Sequence, residues 1–285
     1  MGTAYGSGVL SLRRALMLAA VFTLIGSVSA SINVVDTYAN VVSQAPAIDV
    51  AAAQLAAAVV TTISTYLKLP TSTIQIYAFS LLGVVLVGGL PIHGASFSLI
   101  ILGWIAGPLV ALALGFLLAK LGLGIARKGS KVLAWFLIAV AIYSSFILGS
   151  NDVSNAASSL VTAGMLSPRL AGLWGGFFMA LGVLTWGQRL LGRIGHDILP
   201  LDVPLAGTAQ LSKAISLSVI NAFGYNASIN QTIVGGLVGV GSAVARDKLD
   251  RKVLRNIVLN WTLSPLLGLR SAALASLTLH IAVGG

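Results

Sequence analysis

The sequence predicts an all-α polytopic membrane protein built from two related halves. The first observation is composition: of 285 residues, 57% are hydrophobic and only 8% are charged, whereas about a quarter of the residues in a soluble domain are charged. The second is the length of the apolar runs, several of which reach the roughly 20 residues that a helix needs to cross a bilayer. These runs do not alternate polar and apolar residues, which disfavours a membrane-spanning strand barrel. The third is a sequence repeat between the two halves of the chain.

Breaks at glycine, proline and charged residues divide the apolar sequence into predicted helices. The predicted spans cover 14–35, 48–67, 97–119, 131–149, 169–190 and 256–283. A further helix is predicted over 206–222. Two shorter apolar segments, 71–90 and 226–243, are interrupted by glycine and polar residues. Such segments inside a membrane protein indicate broken or re-entrant helices.

The distribution of charge predicts membrane lipids, and not nucleic acid, as partners. The chain carries 17 Lys and Arg against 7 acidic residues, a net charge of +10. The basic side chains stand between the apolar runs, where they set topology and meet lipid headgroups. Two loops are strongly basic, one with Lys120, Arg127, Lys128 and Lys131 and the other with Arg246, Lys248, Arg251, Lys252 and Arg255. The positive-inside rule predicts that both face the cytoplasm, and that the loop at 90–96, which lacks Lys and Arg, faces outside.

Enzyme chemistry is disfavoured by the titratable residues. The absence of cysteine excludes disulfides and thiolate metal sites. The three histidines are scattered along the chain and show no metal-binding spacing. No nucleophile–base pair is evident in the sequence. We therefore expect neither an organic cofactor nor a metal centre, apart from a Na⁺ site.

An internal repeat appears when the first half is shifted by 156 residues without gaps. The polar and glycine matches include Gly26 on Gly182, Gln54 on Gln210, Ser72 on Ser228, Gln75 on Gln231 and Gly83 on Gly239. Chance matching in a biased composition is the alternative, and the constant register of the polar matches favours a duplication. We assign the first repeat to 1–130 and the second to 131–285. Because 97–119 and 256–283 are predicted to run in opposite directions, the repeat is inverted, which is typical of secondary transporters with a site near the midplane.

The strongest local signal is the segment GSNDVSNA at 149–156, directly after an apolar run. Asp152 falls where the bilayer is expected, and an acid there normally faces a polar cavity. Carboxylate and amide oxygens are hard ligands that suit Na⁺, and amide N–H groups can donate to an oxyanion. The alternative is an ordinary interfacial loop.

Two further segments, LPTSTIQ at 69–75 and YNASINQ at 225–231, open the two short apolar stretches. Ser and Thr are good N-caps, and a helix N-terminus offers free N–H groups and a positive dipole to an anion. The alternative is that these residues are caps and nothing more. Their duplication within membrane-depth segments favours a binding site.

These segments together resemble the inorganic phosphate transporter (PiT) family. GSNDVSNA, followed by GMLSPR at 164–169, is similar to the family's GANDVANA signature, and LPTST is similar to its LPVSTTH segment. Further similarities are FMALGVLTWG at 178–187, GRIG at 192–195, FGYNAS at 223–228, VGGLVGVG at 234–241 and VLRNIV at 253–258. The resemblance covers nearly the whole chain.

The resemblance implies a secondary transporter in a prokaryotic cell membrane, a symporter that moves phosphate with Na⁺ or H⁺, and a homodimer. Sulfate permease activity within the same family is the alternative substrate class. The implied substrate residues are Asn151, Asp152, Asn155, Thr71, Ser72, Thr73, Ser228 and Asn230. The implied coupling-ion residues are Asn151, Asp152, Thr73 and Gln210. Helix N-termini and hydroxyls would hold the phosphate oxygens, and Asp152 with the amides would bind the cation.

Departures from the family pattern bear on these expectations. The first-repeat partner of the Asn-Asp motif would fall just upstream of Met1, so we expect a start-site error or a truncated gene, with a non-transporting remnant or assembly partner as the alternative. The family's Thr and His become Ile74 and Gln75. In the second copy, Asn226, Ile229, Asn230 and Gln231 replace Pro, Thr, Thr and His. Lys213 and Arg270 stand within predicted helices. Both are expected to snorkel to the interface, with an anion contact as the alternative for each and a helix–helix pairing as a further alternative for Arg270.

Overall fold

The protein is described by a computed structural model that covers residues 1–40, 45–67, 69, 71–122, 130–191, 202–244, 249 and 251–284. The regular elements of these residues are α-helices. In chain order they are α1 (Gly2–Gly6), α2 (Leu12–Ala30), α3 (Ile32–Ala39), α4 (Ala47–Tyr66), α5 (Thr73–Gly88), α6 (Gly94–Lys120), α7 (Lys131–Thr162), α8 (Pro168–Leu191), α9 (Val203–Ala222), α10 (Ile229–Val244) and α11 (Arg251–Gly284). Pro70 and the similarity at 192–195 lie outside the described residues, as do Arg127, Lys128, Arg246 and Lys248 of the basic loops.

Seven of the described helices are long and apolar enough to cross a bilayer: α2, α4, α6, α7, α8, α9 and α11. The segment 206–222 was predicted as a helix but not as a span, and it is part of α9, which is one of these seven. The two short helices, α5 and α10, have 16 residues each. They coincide with the two segments predicted to be broken or re-entrant. The prediction of a polytopic helical membrane protein is therefore confirmed.

Two predicted spans have different ends in the structure. The segment 14–35 is divided at Ser31, whose buried hydroxyl donates back to the carbonyl of Ser27, a bond that competes with regular helix geometry. The span predicted over 131–149 continues to Thr162 as a helix of 32 residues. The serine hydroxyls of this extension donate to carbonyls of the preceding turn, as Ser150 does to Ile147 and Ser158 to Asn155. These serine hydroxyls are thus satisfied within the helix, and the interpretation of 149–156 as an interfacial loop is wrong.

The helix bounds recur along the chain with the register of the sequence repeat. Helix α9 starts and ends 156 residues after α4, and α10 starts and ends 156 residues after α5. The packing follows the same relation, because α5 packs along α11 while its counterpart α10 packs along α6. Each short helix thus packs on the long helix of the other half, which is the architecture of an inverted-repeat transporter. The exact division into 1–130 and 131–285 stays a prediction.

Equivalent glycines allow the close approach of these exchanged helices. A Cβ atom added at Gly83 of α5 would overlap the carbonyl oxygen of Leu269 in α11. At the equivalent position in α10, a Cβ added at Gly239 would overlap the carbonyl oxygen of Leu112 in α6. Small residues let backbones pack closely where lipid offers no hydrophobic driving force between helices. The two contacts fix the short helices against their long partners.

Candidate functional site

The Asn-Asp motif lies inside α7 and is tied to the start of the second short helix. The Asn151 side chain is fully buried, and its Nδ2 donates to Asp152 Oδ1 and to the backbone carbonyl of Ala227, both at 2.9 Å. Ala227 immediately precedes the cap of α10. Two of the segments identified from sequence, the motif and the second helix opening, therefore form one structural unit.

Asn226 is the centre of this unit. Its fully buried side chain donates from Nδ2 to Asn155 Oδ1 at 3.0 Å, and the same nitrogen lies 3.3 Å from the carbonyl oxygen of Asn151 and from Ser154 Oγ. The sequence identified Asn226 only as a departure from the family's proline. That departure was the available signal, because proline lacks the side-chain amide that this position uses to hold α7.

The two short helices begin with the same capping geometry. Ser72 Oγ accepts a hydrogen bond from the backbone N–H of Gln75 at 3.4 Å, and Ser228 Oγ accepts one from that of Gln231 at 3.3 Å. Both serines are therefore N-caps, as the sequence predicted. The first N–H groups of a helix have no partner within the helix, so each opening retains donors and a positive dipole end.

A direct hydrogen bond joins the two openings. Asn230 Nδ2 donates to the backbone carbonyl of Thr71 at 2.7 Å, across 159 residues of sequence. Together with the bonds of Asn151 and Asn226, this contact connects the motif in α7, the start of α10 and the start of α5. The structure thus brings together Asn151, Asp152, Asn155, Thr71, Ser72, Ser228 and Asn230.

Thr73 and Gln210 are less closely associated with this network. Thr73 is exposed at the first position of α5, and Gln210 is half-buried on α9. In the described part of the chain, no hydrogen bond links either side chain to Asn151 or Asp152. Their proposed part in a coupling-ion site therefore depends on the family resemblance.

Helix α6 packs closely against the segment that precedes α10. A Cβ added at Gly103 would overlap the carbonyl oxygen of Asn226, and one added at Gly107 would lie 2.6 Å from the Cβ of Ala227. The absence of side chains at these two positions lets the segment before α10 approach α6. Neither glycine was identified from sequence, because their role depends on a contact between distant segments.

Several buried amide oxygens around the openings have no described hydrogen-bond partner. They are Oδ1 of Asn151, Asn221 and Asn226, and Oε1 of Gln75 and Gln231. Buried acceptors normally receive a hydrogen bond or contact a cation. The arrangement can therefore accept hydrogen bonds from a ligand that carries O–H groups, or coordinate a cation.

Lys213 is the main correction to the sequence interpretation of charge. We expected it to snorkel to the interface, but it is only 8% exposed on α9. Arg270, which was given the same interpretation, is exposed on α11. The two cations thus have different environments, and Lys213 belongs to the protein interior.

A cavity of about 570 Å³ opens between α7 and α8 and reaches Asp152. Its other lining residues are apolar, among them Val153, Leu160, Trp174 and Phe178. Apart from the indole N–H of Trp174, the side chains of these walls offer no hydrogen-bond donor to a hydrated anion. The network that connects α7 with the starts of α5 and α10, and not this cavity, is therefore the candidate anion site.

Comparison with known proteins gives a consistent result. A model of a family described as the phosphate transporter family matches residues 1–128 and 124–272. A protein named "Putative phosphate permease" from Methanocaldococcus jannaschii is 31% identical over 276 residues, which cover 94% of this chain and 86% of that protein. The sulfate permease CysP of Bacillus subtilis is 29% identical over 283 residues, covering 94% and 78%.

A solved structure, described as the sodium-dependent phosphate transporter, has the same fold. It matches with a TM-score of 0.84 over 99% of this chain and 93% of that one, at 21% sequence identity. At this identity the likeness concerns the fold alone. It supports the arrangement of spans and short helices described above.

Proposed function

Because the chain belongs to the phosphate transporter family, we propose that it carries inorganic phosphate across a membrane as a cation-coupled symporter. The family is one of transporters, so this multi-pass membrane protein is a carrier and not an enzyme. The observation that carries the proposal is the joining of three polar segments at the starts of the short helices. In inverted-repeat transporters, interrupted helices of this kind form the substrate site.

The anion is held, in this proposal, by the N-termini of α5 and α10. Thr71, Ser72 and Thr73 supply one opening, and Ser228 with Asn230 supplies the other. The argument is electrostatic: the free N–H groups and the positive dipole end of each helix favour a negative ligand. The 2.7 Å bond between Asn230 and the carbonyl of Thr71 supports a shared site, because it holds the two helix starts together.

Phosphate is favoured over sulfate by the unpaired acceptors. Near neutral pH phosphate retains one or two protons and can donate them in hydrogen bonds, whereas sulfate is fully ionised and has none to donate. The buried amide oxygens of Asn151, Asn226, Gln75 and Gln231 have no described donor. A protonated phosphate satisfies some of these oxygens, while sulfate leaves them unpaired at a cost of about 1–3 kcal/mol each. Sulfate transport is the second candidate, and the similarity to a sulfate permease favours it.

The coupling cation, Na⁺ or H⁺, is assigned to Asp152 and Asn151. Asp152 is a half-buried acid within a spanning helix, and an acid at this depth is expected to have a functional partner. A cation beside it offsets part of the negative charge of the substrate. Thr73 and Gln210 are kept as candidate coupling residues on the resemblance alone. A homodimer is likewise kept as a proposal, which cross-linking in membranes tests.

The experiment is uptake of ³²P-phosphate and ³⁵S-sulfate by liposomes that contain the purified full chain. We expect saturable phosphate uptake that is stimulated by a cation gradient and is inhibited weakly by sulfate. Asp152→Asn removes the charge with little change in size and is expected to abolish gradient-stimulated uptake. Uptake of sulfate in preference to phosphate would favour the second candidate. Absence of uptake of both anions would contradict the transport proposal, and wild-type activity in Asp152→Asn would contradict the site assignment.

A further inference from the structure

Helix α3 contacts the regions of both helix openings through two adjacent residues. Thr37 Oγ1 donates a hydrogen bond of 2.7 Å to the backbone carbonyl of Gly224, two residues before Asn226. The next residue, Tyr38, is buried, and its ring stacks on that of Tyr77 in α5 with the ring centroids 6.0 Å apart. One helix of eight residues thus reaches the segment before α10 and the early turns of α5.

The second opening is closed in this structure. Its capping residue, Ser228, is only 2% exposed, and Asn226 and Ala227 are fully buried. Phosphate arrives from water, so it has to reach these groups through solvent. Part of the protein therefore moves before the anion binds, and the contacts of the segment 223–228 indicate which part this is.

Helix α3 is held against α7 and is therefore the fixed partner in this contact. Val35 of α3 lies in one apolar cluster with Val153 and Ala157 of α7. At the end of α3, the backbone carbonyl of Ala39 accepts a hydrogen bond of 3.3 Å from Thr162 Oγ1 of α7. Because both its middle and its end are secured, α3 provides a support against which the segment 223–228 can close.

The hydroxyl of Thr37 has a second acceptor within its own helix. Its Oγ1 also lies 3.0 Å from the carbonyl oxygen of Asn33, one turn earlier. A hydroxyl carries a single proton, so it donates fully to only one of the two carbonyls at a time. Donation to the carbonyl four residues earlier is a regular habit of threonine in helices. Separation of Gly224 from α3 therefore leaves the hydroxyl of Thr37 with a partner.

The turn between α9 and α10 is suited to movement at the same point. Gly224 has a φ of +74°, in the left-handed region that favours glycine, and such residues at the ends of helices can act as hinges. Thr37 is half-buried, so water can replace it at the carbonyl of Gly224. The bonds that Asn151 and Asn226 make between α7 and this segment are buried. The contact with α3 is therefore the one that we expect to open first.

We propose that Thr37 is a positioning residue that latches the segment 223–228 to α3, and that its release gives phosphate access to the second helix opening. The inference rests on the proposed transport function and assigns a gate to its site. With the hydroxyl on Gly224, the segment is held and Ser228 is buried. With the hydroxyl on Asn33, the segment is free to part from α3, and solvent reaches Ser228.

Thiol labelling of the purified full chain tests the latch without reference to transport. The chain has no cysteine, so Ser228→Cys supplies a single thiol at the second opening. We expect the anionic reagent sulfonatoethyl methanethiosulfonate to modify it slowly, because the position is buried. Adding Thr37→Val, which removes the hydroxyl and keeps the branched shape, is expected to raise the labelling rate several-fold. Thr37→Ser retains the hydroxyl and should leave the rate near that of the parent.

Thr185→Val is the matched control, because within the described residues the exposed hydroxyl of Thr185 bonds only to carbonyls of its own helix. It should not change the labelling rate. Two results would overturn the inference. One is an equal labelling rate with and without the hydroxyl, in Thr37→Val or, should that variant not fold, in Thr37→Ala. The other is labelling as fast in Thr37→Ser as in Thr37→Val, because the hydroxyl is then not responsible. A monodisperse size-exclusion profile shows that each variant is folded.

Phosphate uptake in liposomes, measured with Ser228 intact, separates this inference from the proposed function. Thr37→Val makes the closed, anion-holding state less populated, so we expect a several-fold higher KM with a smaller change in maximal rate. A merely structural role would lower the melting temperature and leave KM unchanged. A wild-type KM in Thr37→Val would overturn the inference and leave the transport function standing. The expected labelling pattern in a chain that takes up neither phosphate nor sulfate would contradict the transport function and support the latch.

Discussion

The side-chain amide of Asn230 donates a 2.7 Å hydrogen bond to the backbone carbonyl of Thr71, and so joins the starts of the two short helices. The helices belong to opposite halves of the chain, yet their openings are held together by one side chain. Both openings also carry a serine cap in the same register. Two anion-attracting helix ends are thus combined into a single candidate site, and its residues can be tested separately.

Loss of the Asn230 contact is expected to weaken substrate binding more than folding. Asn230→Ala removes one hydrogen bond and should lower stability by about 1 kcal/mol, while the helix starts are no longer held together. We expect a several-fold higher KM for phosphate uptake. Thr262→Ala is the control, because within the described residues the exposed hydroxyl of Thr262 bonds only to the carbonyl of Val258 in its own helix. An unchanged KM in Asn230→Ala would argue against a shared site.

Asn226 is expected to be the more sensitive position. Its replacement by alanine leaves the buried Oδ1 of Asn155 without a donor and releases α7 from the start of α10. A buried group left unpaired costs about 1–3 kcal/mol, so we expect both a lower melting temperature and loss of uptake. Asn33→Ala, at an exposed asparagine of α3, serves as the control. Normal uptake by Asn226→Ala would show that the network is not the substrate site.

The close packing of α6 against the backbone of Asn226 can be tested by a substitution on α6. A Cβ at Gly103 would overlap the carbonyl oxygen of Asn226, whereas a Cβ at Gly182 meets nothing within 4 Å. Overpacking of this kind costs about 1–3 kcal/mol. We therefore expect Gly103→Ala to lower both thermal stability and phosphate uptake, and Gly182→Ala to change neither. Equal behaviour of the two variants in melting and uptake measurements would contradict the packing argument.

A contact remote from the site is expected to stabilise the fold. The buried carboxylate of Asp49 in α4 accepts hydrogen bonds at Oδ1 from Ser276 Oγ at 2.7 Å and contacts His280 Nε2 at 3.0 Å, both in α11. Asp49→Ala leaves the buried Ser276 hydroxyl unpaired, and we expect it to cost about 2–3 kcal/mol. The His280 side chain is 46% exposed, so His280→Ala should cost less. Thermal unfolding in detergent measures the loss of stability in each variant. A larger loss in His280→Ala than in Asp49→Ala would contradict this account.

The positions of the helices follow from local properties of the sequence. Runs of apolar residues fix the spans, and serine caps at Ser72 and Ser228 fix the starts of the short helices. The constant offset of 156 residues predicted that α5 and α10 are equivalent, and their bounds agree. These features depend on neighbours within a few turns. For the same reason, the composition was sufficient to assign the protein to the membrane.

The contacts that form the candidate site could not be inferred in the same way. Asn226 reaches α7 across more than 70 residues, and Asn230 reaches Thr71 across 159. The continuation of α7 through Asp152 likewise depends on serine hydroxyls that find acceptors within the helix. The sequence by itself determined the membrane setting, the repeat and most of the candidate residues, because hydrophobicity and capping act locally. Only the tertiary structure decided that Asn226 is the centre of the network and that Lys213 is buried within the helix bundle, because both depend on how distant helices pack.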